Sequence, residues 1–180
     1  MATQANDWNL LAVARPRATE RTLRALCRFA PFRGSGYPRV LVGRAPRTSA
    51  AQELVARVGA DQQLGASLFR MVELERSLPF SRYELTETLC DEFEGLGSRL
   101  AGRSFYVRAN LRGLKGRLQT PAVERALGAF LLDRAETFGA PARVCFDGPE
   151  LVVAVEVVGS RVGYVLLDRE ARSLPLLRVR

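Results

Sequence analysis

The residues best suited to chemistry in this 180-residue chain lie between Arg103 and Arg117. Five of these fifteen are cations (Arg103, Arg108, Arg112, Lys115 and Arg117), and none is acidic. Dispersed charges of this kind suit a phosphate backbone, because each can neutralise one phosphate and the released counterions drive binding. Arginine forks fit phosphate oxygens and also stack on bases. Tyr106 interleaves an aromatic ring among them. Phe105 and Val107 alternate with Tyr106 and Arg108, the period of a half-buried strand. Gly113 and Gly116 end that strand and place Lys115 and Arg117 in a loop. The same pattern also fits an ordinary edge strand with a solvated basic loop. A second basic segment runs from Arg15 to Arg47, with nine arginines and one acid, Glu20. Within it Arg21, Arg24 and Arg28 are candidate RNA contacts, or else a solvated helix face.

Several chemistries are excluded by composition. Histidine is absent, which removes His-dependent triads, His general bases and most zinc sites. Cys27, Cys90 and Cys145 are distant from one another and odd in number, so no disulfide framework or metal-binding pair is expected, and each reads as a reduced core residue. Glu84, Glu87, Asp91, Glu92 and Glu94 cluster at the start of a predicted helix, where the helix dipole favours them, with no nucleophile nearby in sequence. Arg33-Gly-Ser-Gly-Tyr37 lacks the strand–loop–helix grammar of a nucleotide-binding fingerprint. No catalytic residue, cofactor or metal site is expected.

The elements that must carry the cations follow from periodicity. Trp8 to Val13 predicts a strand, Thr19 caps a helix to about Ala30, residues 31–38 form a loop, and Val40 to Val42 is a second strand. Thr48 or Ser49 caps a second helix, and Phe69 to Glu75 alternates as a third strand. This βαβ spacing suggests a small ferredoxin-like α/β unit over residues 1–80 with its fourth strand missing or displaced. Ser77 to Ser81 reads as a junction. Beyond it come a helix from Tyr83 to Leu100, broken near Gly95 or Gly97, and the basic strand. Thr120 then caps a helix with Pro121 at its first position, and Gly139 and Pro141 stop it. Val144 to Phe146 is short and extended. Leu151 to Val158 is a nearly continuous apolar run, as in a strand buried on both faces, and Arg161 to Asp168 is its hairpin partner.

The net charge of +8 favours an anionic partner. Residues 1–80 carry 12 cations and 6 acids, whereas residues 81–180 carry 15 and 13, so the N-terminal unit holds most of the surplus. An arginine-rich, lysine-poor composition also follows from a GC-rich genome, but that does not explain the excess of cations over acids. No signal peptide or apolar run of about 20 residues is evident, so a cytoplasmic protein with no membrane partner is expected.

Residues 81–180 resemble a THUMP domain. The matching residues are Phe105, Val107, Arg108 and Arg112; then Thr120-Pro121, Val123-Glu124 and Ala126-Leu127-Gly128; and finally Pro149-Glu150, Val153, Val155-Glu156-Val157 and Tyr164. The order of helix, helix, strand, helix, strand, strand is similar too. The resemblance implies an α+β chain: a ferredoxin-like unit over 1–80 and a THUMP-like α-α-β-α-β-β domain over 81–180. In that family the two domains together grip the acceptor end of tRNA. The resemblance gives Arg108 and Arg112 a phosphate role, with Lys115 and Arg117 alongside. It extends to stand-alone members that serve N4-acetylcytidine formation. It implies a non-catalytic tRNA-binding adaptor that presents tRNA to a separate modifying enzyme, an acetyltransferase. The alternatives are a stand-alone RNA-modifying enzyme and a module that meets an acidic protein partner.

Overall fold

The computed structural model describes residues 7–45, 51–81, 83–114 and 116–177. The fold is α+β with two sheets. Backbone packing divides the chain into two compact units, Met1–Ser77 with Glu170–Arg180, and Leu78–Arg169.

The first unit contains β1 (Leu10–Ala14), α1 (Thr19–Leu26), β2 (Phe32–Gly34), β3 (Val40–Gly43), α2 (Ala51–Ala60), α3 (Gln62–Ser67) and β4 (Leu68–Glu73). Its sheet has the order β2-β3-β1-β4, with every neighbour antiparallel. The apolar run Leu-Leu-Ala-Val-Ala makes β1 a fully buried inner strand. The fourth strand is therefore present, correcting the expectation that it was missing or displaced. It is β2, inside the segment that reads as a loop. Of its three residues Phe32 alone is buried, so there is no alternation to detect; pairing with β3 creates the strand. Gly43 makes that pairing possible, since a Cβ there would meet the Phe32 ring at 2.8 Å. Thr19 is the first helical residue and not the cap. Ala18 holds the cap position without a side-chain bond, and α1 ends at Leu26, short of Ala30. The second helical stretch breaks at Asp61, whose carboxylate accepts the Leu64 N–H at 3.0 Å and caps α3. The expected caps Thr48 and Ser49 lie outside the described residues. After the last helix, α7 (Arg169–Ser173), the Met71 N–H donates to the Leu176 carbonyl at 2.9 Å, so the tail lines the edge of β4.

The second sheet has the order β5-β9-β8-β6-β7, from β5 (Arg76–Pro79), β6 (Ser104–Arg112), β7 (Arg143–Val144), β8 (Leu151–Val158) and β9 (Arg161–Leu167). The stretch that reads as a junction, Ser77 to Ser81, holds the division between the two units, which falls inside the edge strand β5. β6 runs parallel to β7 and β8, and β8 turns into antiparallel β9. A parallel pair needs a crossover, which α6 (Thr120–Thr137) supplies. The helices α4 (Leu85–Phe93) and α5 (Gly97–Leu100), joined by a 3₁₀ turn at Glu94–Leu96, pack with α6 over one core. Phe105, Val107, Val153, Val155 and Tyr164 fill that core from the sheet, with Phe93 edge-on to Tyr164 at 4.9 Å. β8 is buried along its whole length, as its apolar run implies. Gly97 lets α5 lie against α6, because a Cβ would come within 2.7 Å of the Arg134 carbonyl oxygen. Thr120 begins α6 but does not cap it; Gln119 holds that place.

The cysteines are free, as expected, but none is fully buried, although Cys90 packs against the core of the second unit. Cys27 is exposed and Cys90 and Cys145 are half-buried. Cys27 follows the end of α1, and Cys145 lies in the turn after β7, where its thiol reaches the Asp147 carbonyl at 3.0 Å.

Candidate nucleic-acid interface

The alternation of β6 decides what each of its residues does. Phe105, Val107 and Ala109 enter the core, while Tyr106, Arg108, Asn110 and Arg112 project from the other face. β7 pairs with β6 only at Ser104 and Phe105, so the outer edge of β6 beyond that point has no strand beside it among the described residues. Glu124, near the start of α6, occupies part of that edge. Its Oε1 accepts the Ala109 N–H at 2.9 Å and lies 3.6 Å from the Arg108 guanidinium.

A cleft of about 370 Å³ opens where this edge meets α6. Tyr106, Val107, Pro121, Glu124, Arg125 and Phe146 form most of its wall. Phe146 is 80% exposed and faces Tyr106 with ring centroids 5.8 Å apart. An aromatic residue this exposed gains nothing from burial within the unit, whereas an unstacked base provides a π-face for it. Arg125 adds a cation to the same wall. Sequence reasoning named Tyr106 but missed Phe146, Glu124 and Arg125. The one visible signal was a large aromatic residue immediately before the Asp147-Gly148 turn.

The other expected residues are dispersed. Arg108 is half-exposed beside Glu124. Arg112 turns into an ion pair with the fully buried Glu156 at 2.5 Å, and Asn110 donates to the other oxygen of the same carboxylate at 3.0 Å. Arg117 is exposed in the turn after β6, and Lys115 lies outside the described residues. Arg103 precedes β6, about 30 Å from Arg112 at the usual rise of a strand. There it shares a smaller pocket with Arg99 and Asp168. The stretch that reads as one basic strand and loop therefore does not form one patch. In the first unit Arg24 is paired with Glu20 at 2.6 Å and Arg28 with Asp61 at 3.0 Å, while Arg21 is exposed.

Glu150 organises the start of β6. Its carboxylate accepts the Ser104 N–H at 2.8 Å and the Ser104 hydroxyl at 2.9 Å. The backbone bond above all, then the hydroxyl, holds its pKa below the ordinary carboxylate value. Among the described residues no helix is long and apolar enough to cross a membrane, and no cluster of three or more His, Cys, Asp or Glu could hold a metal ion.

No protein-family model matches the sequence, and no curated protein matches it. Solved structures do. TrmN from Thermus thermophilus is 25% identical, with a TM-score of 0.56 over 87% of this chain and 44% of that one. A 4-thiouridine synthetase in complex with RNA and ATP is 14% identical, with a TM-score of 0.56 over 89% and 41%. SMU.472, a putative methyltransferase complexed with SAH, is 16% identical, with a TM-score of 0.54 over 89% and 41%. The chain thus spans about two fifths of the length of these neighbours. Others among the matched structures are described as a predicted N6-adenine-specific DNA methylase from Listeria monocytogenes and a possible methylase from Clostridium difficile. These neighbours overturn the expectation of a non-catalytic adaptor that is not itself an enzyme: they are described as a synthetase, a putative methyltransferase, a predicted methylase and a possible methylase. They lend no support to an acetyltransferase partner or an acetylcytidine product. The fold they share with this chain is THUMP-like.

Proposed function

We propose that this chain is the RNA-binding part of a tRNA-modifying enzyme, of the methyltransferase class that most of its neighbours represent. Residues 1–80 act as a ferredoxin-like unit and residues 81–180 as a THUMP-like domain; the β2-β3-β1-β4 order of the first sheet supports the former assignment. The ligand is the acceptor end of tRNA, which implies a cytoplasmic location. Its unpaired nucleotides enter the cleft between β6 and α6, and one base stacks on Phe146 and Tyr106. Arg103, Arg108 and Arg117 contribute phosphate contacts; Arg112 contributes less, its guanidinium being committed to Glu156.

The observation that carries this reading is Phe146, 80% exposed against Tyr106 at the mouth of the cleft. Fluorescence anisotropy with whole tRNA, and with tRNA trimmed of its unpaired 3′ nucleotides, tests it. Stacking of one base contributes about 1–3 kcal/mol, so Phe146→Ala weakens whole tRNA about fivefold or more and leaves trimmed tRNA almost unchanged. Equal effects on both RNAs, or none on either, would remove the cleft from the interface.

A further inference from the structure

Two turns of the first unit share an unusual build. In Arg15-Pro16-Arg17-Ala18 the Ala18 N–H donates to the Arg15 carbonyl at 3.1 Å, and in Tyr37-Pro38-Arg39-Val40 the Val40 N–H donates to the Tyr37 carbonyl at 3.1 Å. Each has proline second and a left-handed residue third, the pattern of a type II turn. The third position calls for glycine or asparagine, which tolerate positive φ. Here it is arginine both times: Arg17 at φ 61° and Arg39 at φ 64°, the two non-glycine residues with positive φ among those described. Backbone strain of this kind persists where something else requires the side chain, and it clusters at functional sites.

The two turns lie side by side. Val13 pairs with Val40, and the Ala14 N–H donates to the Arg39 carbonyl at 2.8 Å, so the end of β1 and the start of β3 bring Arg15, Arg17 and Arg39 to one end of the sheet. All three are exposed, and neither turn contains an acid. Arg15 donates through Nε to the Leu68 carbonyl at 3.2 Å, which fixes its stem and leaves the rest of the guanidinium available. Arg17 and Arg39 make no side-chain hydrogen bond or ion pair with the described residues. Arg24, Arg28 and Arg44, by contrast, are each paired with a carboxylate.

We propose that Arg15, Arg17 and Arg39 form a binding corner for the phosphodiester backbone of RNA, distinct from the basic helix face that composition suggests. The proposal rests on the RNA-binding reading above and adds a site to it. The two hydrogen-bonded turns hold the three cations at one sheet end, where one phosphodiester strand can meet them together. Neighbouring cations without acids between them repel one another in the free protein, and a polyanion relieves that repulsion.

The test is tRNA affinity against salt concentration for the whole chain. In Arg17→Asn/Arg39→Asn the turn geometry is kept and two cations are lost. The expected result is a melting temperature no lower than that of the parent, weaker binding, and a log–log slope reduced by roughly 1.4 to 1.8. Arg17→Lys/Arg39→Lys keeps the charge and retains the parent slope to within about half a unit. Arg134→Gln, which removes a cation elsewhere, leaves the slope unchanged. Should the asparagine variant bind with the parent slope while the parent binds tRNA well, the corner is overturned and the RNA-binding reading stands. If the parent itself shows no salt-dependent tRNA binding, both fall. The single variants Arg17→Gly and Arg39→Gly provide the same readout in the residue that each turn accepts most readily; melting well below the parent would overturn the strain argument.

Discussion

Removing Arg112 should damage the fold more than the RNA interface. Glu156 lies on the central strand β8 among valines, and its side chain is 0% exposed. Arg112, 44 residues earlier in the sequence, meets it at 2.5 Å, and Asn110 meets its other oxygen at 3.0 Å. A buried pair contributes little net stability compared with an apolar replacement, but removing one partner strands the other charge, at about 3–5 kcal/mol. Arg112 keeps 21% of its side chain exposed and Asn110 remains in place, so the lower end applies, about 3 kcal/mol for Arg112→Ala. In a unit of this size that corresponds to a fall of roughly 10–20 °C in melting temperature. Thermal and urea unfolding followed by circular dichroism, with hydrogen exchange localising the loss to β6 and β8, provide the assay. Adding Glu156→Gln removes the stranded charge while leaving an acceptor for Asn110, so the double variant should recover at least half of the loss. If Arg112→Ala unfolds within about 0.5 kcal/mol of the parent, as a surface change would, or if the double variant is no better than the single, charge burial is not what holds this corner of the sheet.

Two further outcomes test the geometry. Gly97→Ala drives a Cβ to within 2.7 Å of the Arg134 carbonyl, a backbone atom that cannot swing away, and should lower stability by about 1–3 kcal/mol in urea unfolding. Glu150 has a folded pKa below its unfolded value, so its contribution is present above the ordinary carboxylate range and is lost as the pH falls through the folded value. Glu150→Gln should accordingly flatten the acid limb of the stability curve, and Ser104→Ala should move the Glu150 carboxyl titration upward in an NMR experiment.

The neighbours changed the functional picture more than the fold did. The lack of histidine and the scattered acids made a catalytic role look remote. The fold is shared with a 4-thiouridine synthetase seen with RNA and ATP and with a putative methyltransferase complexed with SAH, of whose length this chain spans about two fifths. Absence of a catalytic set in one stretch of sequence is evidence about that stretch and not about the enzyme in which such a fold works.

Period alone was enough to reveal the inner strands and the long helix. Burial on both faces leaves a continuous apolar run, hence β8; burial on one face leaves alternation, hence β6; and Pro121 and Gly139 bracket α6 because one ring lacks an N–H and one residue lacks a Cβ. The short edge strands β2 and β5 left no such trace, because three or four residues are too few to show a period and their hydrogen bonds come from partners elsewhere in the chain; β7 was legible only as a short extended stretch from Val144. The fate of each cation was equally hidden. Arg112 is neutralised by Glu156 across a strand pair, Arg24 by Glu20 one helical turn away, and Arg17 and Arg39 meet no carboxylate among the described residues, in turns whose prolines were visible but whose left-handed arginines were not. Charge could be counted along the chain, but whether a given cation is available to a polyanion depends on which carboxylate the folded backbone brings within a few ångströms.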